Sequence, residues 1–219
     1  GGKVAVADLC LRVERGECFG FLGTNGAGKS TTFAMLTGAT APTSGDALLH
    51  GLSSRHEQPQ IRRQLGYCPQ HDALLALLTA RETLRLYARI KRVPPAAIEA
   101  TVESLLLDLD LARFSDKPAG QLSGGNKRKL CITRDHPRLG IALVGAPSLV
   151  LLDEPSSGMD AASKRFLWAA IKRRTLECCT VLTSHSMEEC EALCGRIGVM
   201  VGGKLRCIGP IQALKSRFG

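Results

Sequence analysis

The chain has 219 residues, a length typical of one α/β domain, and 44% of them are hydrophobic, which is enough for a sizeable core. Only 4% are aromatic, so the core is expected to be aliphatic, and an aromatic platform for single-stranded nucleic acid is disfavoured. The sequence contains no apolar run of about 18 residues and no recognisable secretory signal, so it predicts neither a membrane-spanning helix nor export.

The net charge is +9, and three groups of basic residues contribute to it. Nucleotide phosphates, an anionic membrane surface and nucleic acid are the partners that such charge could serve, but basic groups are more often solvated helix faces, the interpretation favoured here. The groups are Arg62-Arg63, Lys127-Arg128-Lys129 and Lys172-Arg173-Arg174. The nine cysteines lack the paired spacing of a zinc site or a disulfide framework and therefore indicate reduced thiols.

Short apolar runs alternate with turn residues and helical patterns along the chain. In chain order we predict strands at 4–13 and 18–22, a helix at 31–36, strands at 47–51 and within 65–70, the latter stopping at Pro69, helices at 79–92 and 96–109, strands at 148–152 and 179–183, a helix at 186–194, and a hairpin of 197–201 with 204–207. This order predicts an α/β fold with a mostly parallel sheet and a small antiparallel part. The helical run between about residues 72 and 134 predicts an inserted all-helical subdomain within a single domain.

A glycine-rich segment follows the strand predicted at 18–22 and matches the phosphate-binding pattern G-x-x-x-x-G-K-[ST]. The order of strand, loop and helix directs backbone N–H groups and the positive end of a helix dipole at an anion, which argues against a chance glycine turn. Lys29 is expected to reach the β- and γ-phosphates, and the Ser30 hydroxyl is expected to ligate Mg²⁺. The predicted phosphate-binding residues are Gly23, Thr24, Asn25, Gly26, Ala27, Gly28, Lys29, Ser30 and Thr31.

The apolar strand predicted at 148–152 is followed by two carboxylates, Asp153 and Glu154. Such a strand would deliver Asp153 to the Mg²⁺ side of the phosphate loop, and Glu154 would then orient the attacking water. The alternative is that the paired acids only cap the next element.

Three further features carry little information when each is considered alone. The segment Leu122–Asn126 places Ser-Gly-Gly at a helix start, a second candidate anion site, although such turns are usually plain loops. His185 follows a predicted strand, where a lone histidine is more often structural. Gln70 by itself indicates almost nothing.

Taken together, the motifs resemble the nucleotide-binding domain of an ABC transporter, a P-loop NTPase, over essentially the whole chain. The motifs, in the family's order, are Walker A at 23–30, the Q-loop at Gln70, the signature at 122–126, Walker B at 149–153 followed by Glu154, the D-loop at 156–160 and the switch histidine His185. The sequence is most similar to the A subfamily, the eukaryotic lipid exporters. That likeness rests on GYCPQ at 66–70, SGGNKRKL at 123–130, TSHSMEECEALC at 183–194 and KSRFG at 215–219.

The resemblance implies a mechanism. Two such domains would pair head to tail around two ATP molecules, so that Ser123 and Gly125 contact the γ-phosphate bound by the partner domain. Glu154 would act as general base or would position the water, His185 would stabilise the transition state, and Gln70 would sense Mg²⁺ and the water. The implied cofactors are ATP and Mg²⁺, the latter held by Ser30, Gln70 and Asp153.

The implied partners are the transmembrane domains of the same transporter and a second nucleotide-binding domain, with no nucleic acid expected. The resemblance also implies a place at the cytoplasmic face of a membrane, as part of an integral membrane transporter. The alternative is a soluble ABC-type ATPase that acts on ribosomes or nucleic acid, which the basic charge allows. A GTPase is set aside because 126–129 ends in Lys129 where the guanine-specifying Asn-Lys-x-Asp needs an aspartate.

Three departures from the family pattern stand out. No aromatic residue precedes Phe19 to stack on adenine, so we expect the chain to be cut from a longer protein just after that residue. The segment 131–140 is longer than the pattern by roughly two helical turns, and Pro137 within it should break the helix after the signature. Such a break could displace Ser123 and Gly125, but a harmless bulge or a gene-model error is the interpretation favoured here. Ala161 replaces a common proline, with little effect expected.

Overall fold

A six-stranded sheet organises the computed structural model, which describes residues 4–70, 74–90, 92–134, 148–176 and 178–218. The described strands are β1 (Cys18–Leu22), β2 (Leu48–Leu49), β3 (Leu52–Ser53), β4 (Leu65–Cys68), β5 (Leu149–Asp153), β6 (Cys179–Ser184), β7 (Arg196–Val201) and β8 (Lys204–Pro210). The strand order is β4-β5-β6-β1-β7-β8; β8 is antiparallel to β7 and the other neighbours are parallel. Strands β2 and β3 form a separate antiparallel pair. The predicted α/β fold with a mostly parallel sheet is therefore confirmed.

Helices connect the strands and cover the sheet. Those in the described part of the chain are α1 (Lys29–Leu36), α2 (Gln58–Gln64), α3 (Ala80–Ile90), α4 (Pro95–Asp108), α5 (Gly124–Arg134), α6 (Ala161–Thr175), α7 (Met187–Leu193) and α8 (Ile211–Phe218). The sequence patterns predict α1, α3, α4 and α7 to within a few residues and miss α2, α6 and α8. Within the described residues, no helix combines the length and the apolar character that crossing a bilayer requires.

Alternate residues of the central strands feed two different apolar cores, as the two-residue period of a strand requires. Leu149 and Leu151 of β5 belong to a cluster that also contains Phe19 and Phe21 of β1. Their neighbours Val150 and Leu152 belong to a cluster on the other face, packed with side chains of α6 and α7. The sheet is therefore buried on both faces, which explains why its strands read as continuous apolar runs.

Helices α3, α4 and α5 enclose an apolar cluster of their own, in which Leu84, Val102, Leu105 and Leu130 are all fully buried. Arginine side chains of α3 pair with glutamates of α4 at the surface, Arg85 with Glu99 at 2.6 Å among them. The assignment of about 72–134 as one helical subdomain stays a prediction, and the residues at its proposed start, 71–73, lie outside the described residues.

The strand predicted at 4–13 is wrong. Its apolar residues Val6, Leu9, Leu11 and Val13 do pack on the core, so their alternation reports one-sided burial. The backbone, however, forms no strand there, and Asp8 has a left-handed conformation (φ 51°) that interrupts an extended run. For the strand predicted within 65–70, the predicted stop at Pro69 is confirmed, since β4 ends at Cys68 and Pro69 has no N–H to donate.

Candidate functional site

The carboxyl ends of four neighbouring parallel strands meet at one edge of the sheet. Strand β4 leads to Gln70, β5 ends at Asp153 just before Glu154, β6 leads to His185, and β1 leads to the loop 23–28. This edge is where open α/β sheets bind ligands. The topology therefore brings together residues that lie between positions 23 and 185 of the sequence, roughly the length of a whole domain.

Two glycines with left-handed backbones shape the loop between β1 and α1, Gly26 with φ 77° and Gly28 with φ 105°. Residues with a Cβ adopt this conformation only at a cost. At Gly28 a Cβ would also lie 2.6 Å from the carbonyl oxygen of Ala5, whereas at Gly26 it would meet nothing within 4 Å. Gly28 is therefore required twice, for its conformation and for its lack of a side chain.

Lys29 begins α1 and is only 5% exposed. Its Nζ atom donates to the carbonyl oxygens of Gly23, at 2.6 Å, and Thr24, at 3.1 Å. The lysine thus bends back over the loop and places a cation beside the N–H groups at the helix start. Both features favour a bound anion.

The other predicted loop residues differ in exposure. Thr24, Asn25 and Gly26 are exposed, Ala27 and Gly28 are buried, and Gly23 and Thr31 are half-buried.

Ser30, at the second position of α1, faces the carboxylate at the end of β5. Its Oγ lies 3.3 Å from Oδ1 of Asp153, and Thr183 of β6 donates its hydroxyl to the same oxygen. Asp153 is only 4% exposed. A buried carboxylate and an exposed serine hydroxyl provide the hard oxygen donors that Mg²⁺ prefers, so this pair fits the ion that the loop motif implies.

Glu154 holds a strained and well-supported position. Its backbone is left-handed (φ 47°), a conformation that costs a non-glycine residue about 1–3 kcal/mol and persists only where the surroundings enforce it. Its N–H donates to the carbonyl oxygen of Thr183, at 3.1 Å, and to the hydroxyl of the same residue, at 3.0 Å. The side chain is directed at Gln70 and His185, whose Nε2 and Nδ1 atoms lie 3.1 and 3.3 Å from its Oε2.

The predicted signature loop makes contacts with other residues of the domain. The Ser123 hydroxyl accepts a bond from the backbone N–H of Asn126 at 3.3 Å. A Cβ on Gly125 would lie 3.1 Å from Ser163 Oγ and 3.7 Å from Asp160 Oδ2, at the start of α6. No hydrogen bond or ion pair between described residues joins Ser123 to Lys29 or to the acidic pair.

Asp160, in the predicted D-loop, caps the start of α6. Its Oδ1 accepts from the backbone N–H groups of Ala162 and Ser163, both at 3.0 Å. Hydrogen bonds from Ser163 lower the pKa of this carboxyl.

A family model described as ABC transporter matches residues 6–157, more than half of the chain. The chain belongs to the ABC transporter family. Its resemblance to the A subfamily is also confirmed. The "ATP-binding cassette sub-family A member 7" of Rattus norvegicus is 52% identical over 98% of this chain, the "Retinal-specific phospholipid-transporting ATPase ABCA4" of Homo sapiens is 53% identical over 98%, and the "Phospholipid-transporting ATPase ABCA3" of Rattus norvegicus is 50% identical over 99%. The chain spans only 10%, 9% and 12% of their lengths.

Solved ABC ATPase structures share the fold. An ATP-binding subunit of an ABC transporter superposes with a TM-score of 0.84 and 27% identity, over 98% of this chain and 87% of its own. A dimeric ATP-binding cassette in a post-hydrolysis state, bound to ADP and Pi, superposes with a TM-score of 0.79 over 94% of this chain and 90% of its own. Its sequence identity is 23%, so this second likeness bears on the fold alone.

The interpretation of Lys127-Arg128-Lys129 as a solvated helix face is wrong for two of its members. Arg128 and Lys129 are only 3% and 7% exposed. Lys129 places its Nζ 4.4 Å from the centre of the Phe166 ring of α6, in a cation–π contact. The guanidinium of Arg128 points into the body of the domain. In this triplet the helical period turns Arg128 and Lys129 inward, which a count of basic residues does not reveal.

A buried carboxylate behind the switch histidine was also missed. Glu189, only 3% exposed, accepts from the Ser184 hydroxyl at 2.7 Å and from Trp168 Nε1 at 3.4 Å. The Ser186 hydroxyl accepts from the Glu189 N–H at 3.4 Å and caps α7. Ser184 and Ser186 flank His185, so Glu189 fixes the loop that carries it. A serine three residues before a glutamate at a helix start is the capping-box signal that could have revealed this contact.

Proposed function

We propose that this chain is the ATP-hydrolysing motor of a membrane transporter and that its cycle drives phospholipid translocation. The observation that carries the proposal is the convergence on one atom, Glu154 Oε2, of Gln70 and His185 from two different strands. That atom lies beside a phosphate loop and a buried aspartate. A purely structural carboxylate would not need two polar, exposed partners at the ligand-binding edge of the sheet.

The phosphate loop would hold the nucleotide. In this proposal Lys29 exchanges its contacts with the Gly23 and Thr24 carbonyls for contacts with the β- and γ-phosphates. The N–H groups of 24–31 contribute further donors to the phosphate oxygens. Ser30 and Asp153 would hold Mg²⁺, with Gln70 as a third ligand, and the ion would supply charge neutralisation at the phosphates.

The acidic side of the site would position and activate the attacking water. Glu154 is placed to accept a hydrogen bond or a proton from a water, while Gln70 and His185 hold its carboxylate in orientation. His185 is 59% exposed, so it can also turn toward a γ-phosphate bound beside Lys29. Positioning and electrostatic stabilisation account for most of the rate enhancement in phosphoryl transfer, and these residues supply both.

A second nucleotide-binding domain would complete the site. Between described residues, no hydrogen bond joins Ser123 to Lys29, which is consistent with action of Ser123 and Gly125 on the nucleotide of a partner in a head-to-tail pair. The transmembrane domains of the same transporter would be the further partners, and the site would lie at the cytoplasmic face of the membrane. Residues 135–147 lie outside the described part, so Pro137 and the rest of the lengthened segment stay an untested departure.

The phospholipid substrate is inferred from the relatives, whose names specify phospholipid-transporting ATPases. The competing proposal, a soluble ABC-type ATPase acting on ribosomes or nucleic acid, makes a different prediction. Its ATPase activity would rise with ribosomes or RNA and not with phospholipid vesicles.

The test is steady-state Mg-ATPase activity of the chain beside its Glu154→Gln variant. We expect steady-state turnover in the first, only a slow residual single-turnover rate in the second, and equal ATP binding in both. Glu14→Gln, an exposed glutamate before the amino end of β1, is the matched control and should retain full activity. Equal turnover in wild type and Glu154→Gln would contradict the proposal. If neither hydrolyses ATP, the same pair is compared in the full-length transporter, where labelled phospholipid movement across vesicles reports the substrate.

A further inference from the structure

Arg128 joins the signature helix to both catalytic loops. It lies in α5, five residues after Ser123, and its guanidinium donates to main-chain carbonyls of two separate segments. After β4, Nη1 donates to the oxygens of Pro69, at 2.6 Å, and Gln70, at 3.1 Å. After β5, Nη2 donates to Asp153, at 2.7 Å, and Glu154, at 3.1 Å, while Nε donates to Pro155 at 2.9 Å.

The match between donors and acceptors is close. A guanidinium carries five N–H groups in a rigid planar fork, and the carbonyl oxygens of five described residues accept from this one. Burying a cation is unfavourable unless hydrogen bonds replace its water, so at 3% exposure these contacts are required. Lysine, a point charge with three donors on one nitrogen, cannot reach both segments in this way.

The contacts fall where the backbone most needs support. Glu154 is left-handed, and Arg128 holds its carbonyl together with the carbonyls of the residues before and after it. Gln70, whose side chain contacts the Glu154 carboxylate, has its own carbonyl held by the same guanidinium. One side chain therefore fixes the backbones of the two residues that would position the water.

We infer that Arg128 is a positioning residue for ATP hydrolysis. It couples the position of α5, the helix that follows the signature, to the geometry of Glu154 and Gln70. This inference rests on the proposed function. Because Arg128 and Ser123 belong to the same short segment, a movement of the signature changes the support of both catalytic loops. Docking of the signature onto a partner's nucleotide would thereby be sensed at Glu154 without direct contact.

The test compares Arg128→Gln with wild type in the full-length transporter, by kcat, KM for ATP, ATP affinity and Tm. We expect kcat to fall roughly 10- to 100-fold, as for a small misplacement of a catalytic group, while ATP affinity changes less than about threefold. Arg62→Gln is the matched control, since Arg62 is exposed and also donates to two main-chain carbonyls, but these are Thr37 and Gly38 of the segment after α1. It should keep wild-type kcat.

A double variant separates positioning from plain destabilisation. If Arg128 acts through Glu154, Arg128→Gln should lower the residual single-turnover rate of Glu154→Gln much less than it lowers the rate of wild type. Independent, multiplicative losses would overturn the inference.

If Arg128→Gln does not fold, Arg128→Lys replaces it. The cation–π contact of Lys129 still anchors α5, and kcat should again fall with ATP affinity retained. A wild-type kcat in the lysine variant, or in a folded Arg128→Gln, would overturn the inference and leave the proposed function intact. An inactive wild type would instead overturn the proposed function.

Discussion

The Oγ atom of Ser30 lies 3.3 Å from Oδ1 of Asp153, although 123 residues separate the two side chains in the sequence. Strand β6 lies between the strands that lead to them, and its Thr183 donates a hydroxyl to the same Asp153 oxygen. That hydroxyl also accepts from the N–H of Glu154 at 3.0 Å. Thr183 therefore aligns both carboxylates from behind, and the proposed Mg²⁺ site depends on three strands at once.

Thr183→Val should weaken the fold and slow hydrolysis together. Valine has nearly the same shape but removes both hydrogen bonds, leaving a buried carboxylate oxygen and the Glu154 N–H less well satisfied. We expect a loss of about 1–3 kcal/mol in the free energy of unfolding and a lower kcat, measured by urea denaturation and Mg-ATPase assay.

Thr180→Val is the control for that change. Thr180 is a buried threonine of the same strand, 1% exposed, whose hydroxyl lies 3.2 Å from that of Thr175. Loss of the Thr180 hydroxyl should lower the free energy of unfolding by a similar amount and leave kcat unchanged. A Thr183→Val variant with wild-type kcat would show that Asp153 and Glu154 need no support from β6.

Lys29→Ala should abolish nucleotide binding under ordinary assay conditions. A hydrogen bond to a charged group is worth about 1.5–3 kcal/mol, and Lys29 would contact two phosphates, so affinity should fall at least roughly 100-fold. Titration with a fluorescent ATP analogue measures the loss. Lys172→Ala removes an exposed lysine of α6 and should bind as wild type. Retained affinity in Lys29→Ala would mean that the loop is not the phosphate site.

The sequence predicts those parts of the site whose residues are close together in the chain. Glycines at fixed spacing before Lys29 are needed because the loop backbone turns left-handed there. Asp153 ends, and Glu154 follows, a strand whose first four residues are apolar because it is buried on both faces. In each case neighbouring residues carry both the structural signal and the functional one.

The parts that the sequence does not predict depend on tertiary contacts. The short helix α2 contains a single buried residue, Ile61, so it leaves almost no hydrophobic periodicity. Arg128 reads as one more surface cation, since its carbonyl partners come from segments about 25 and 59 residues away. Long-range hydrogen bonds to main-chain carbonyls leave no residue-type signal at the partner positions, which can be any amino acid.

Gly28→Ala should destabilise the domain more than Gly26→Ala. Both replacements force a residue with a Cβ into a left-handed backbone, which costs about 1–2 kcal/mol. Only at Gly28 does the new Cβ also approach a carbonyl oxygen, that of Ala5, to 2.6 Å. Urea denaturation should therefore rank wild type above Gly26→Ala and Gly26→Ala above Gly28→Ala. Equal stability of the two variants would show that the segment at Ala5 moves aside without cost.

The Asp46 carboxyl should make the free energy of unfolding depend on pH only at acidic pH. A hydrogen bond from the Ser53 hydroxyl, at 2.6 Å, is the main cause that lowers the pKa of Asp46 from 3.8 to about 2, with further bonds from Ser54 and the Ala47 N–H. Since the folded-state pKa is depressed, the carboxylate stabilises the fold at every pH above its ordinary value of 3.8. That contribution is lost as the pH falls from 3.8 through about 2.

Ser53→Ala tests the cause of this shift, because it removes the strongest donor to Asp46 and should raise the pKa toward 3.8. The readout is an NMR titration of the Asp46 carboxyl carbon between neutral pH and the acid limit of the folded state. Ser44→Ala, an exposed serine two residues before Asp46, should leave the titration unchanged. A pKa that stays near 2 in Ser53→Ala would assign the shift to Ser54 and the Ala47 N–H, and the acid-dependent part of stability would then survive the loss of the Ser53 hydroxyl.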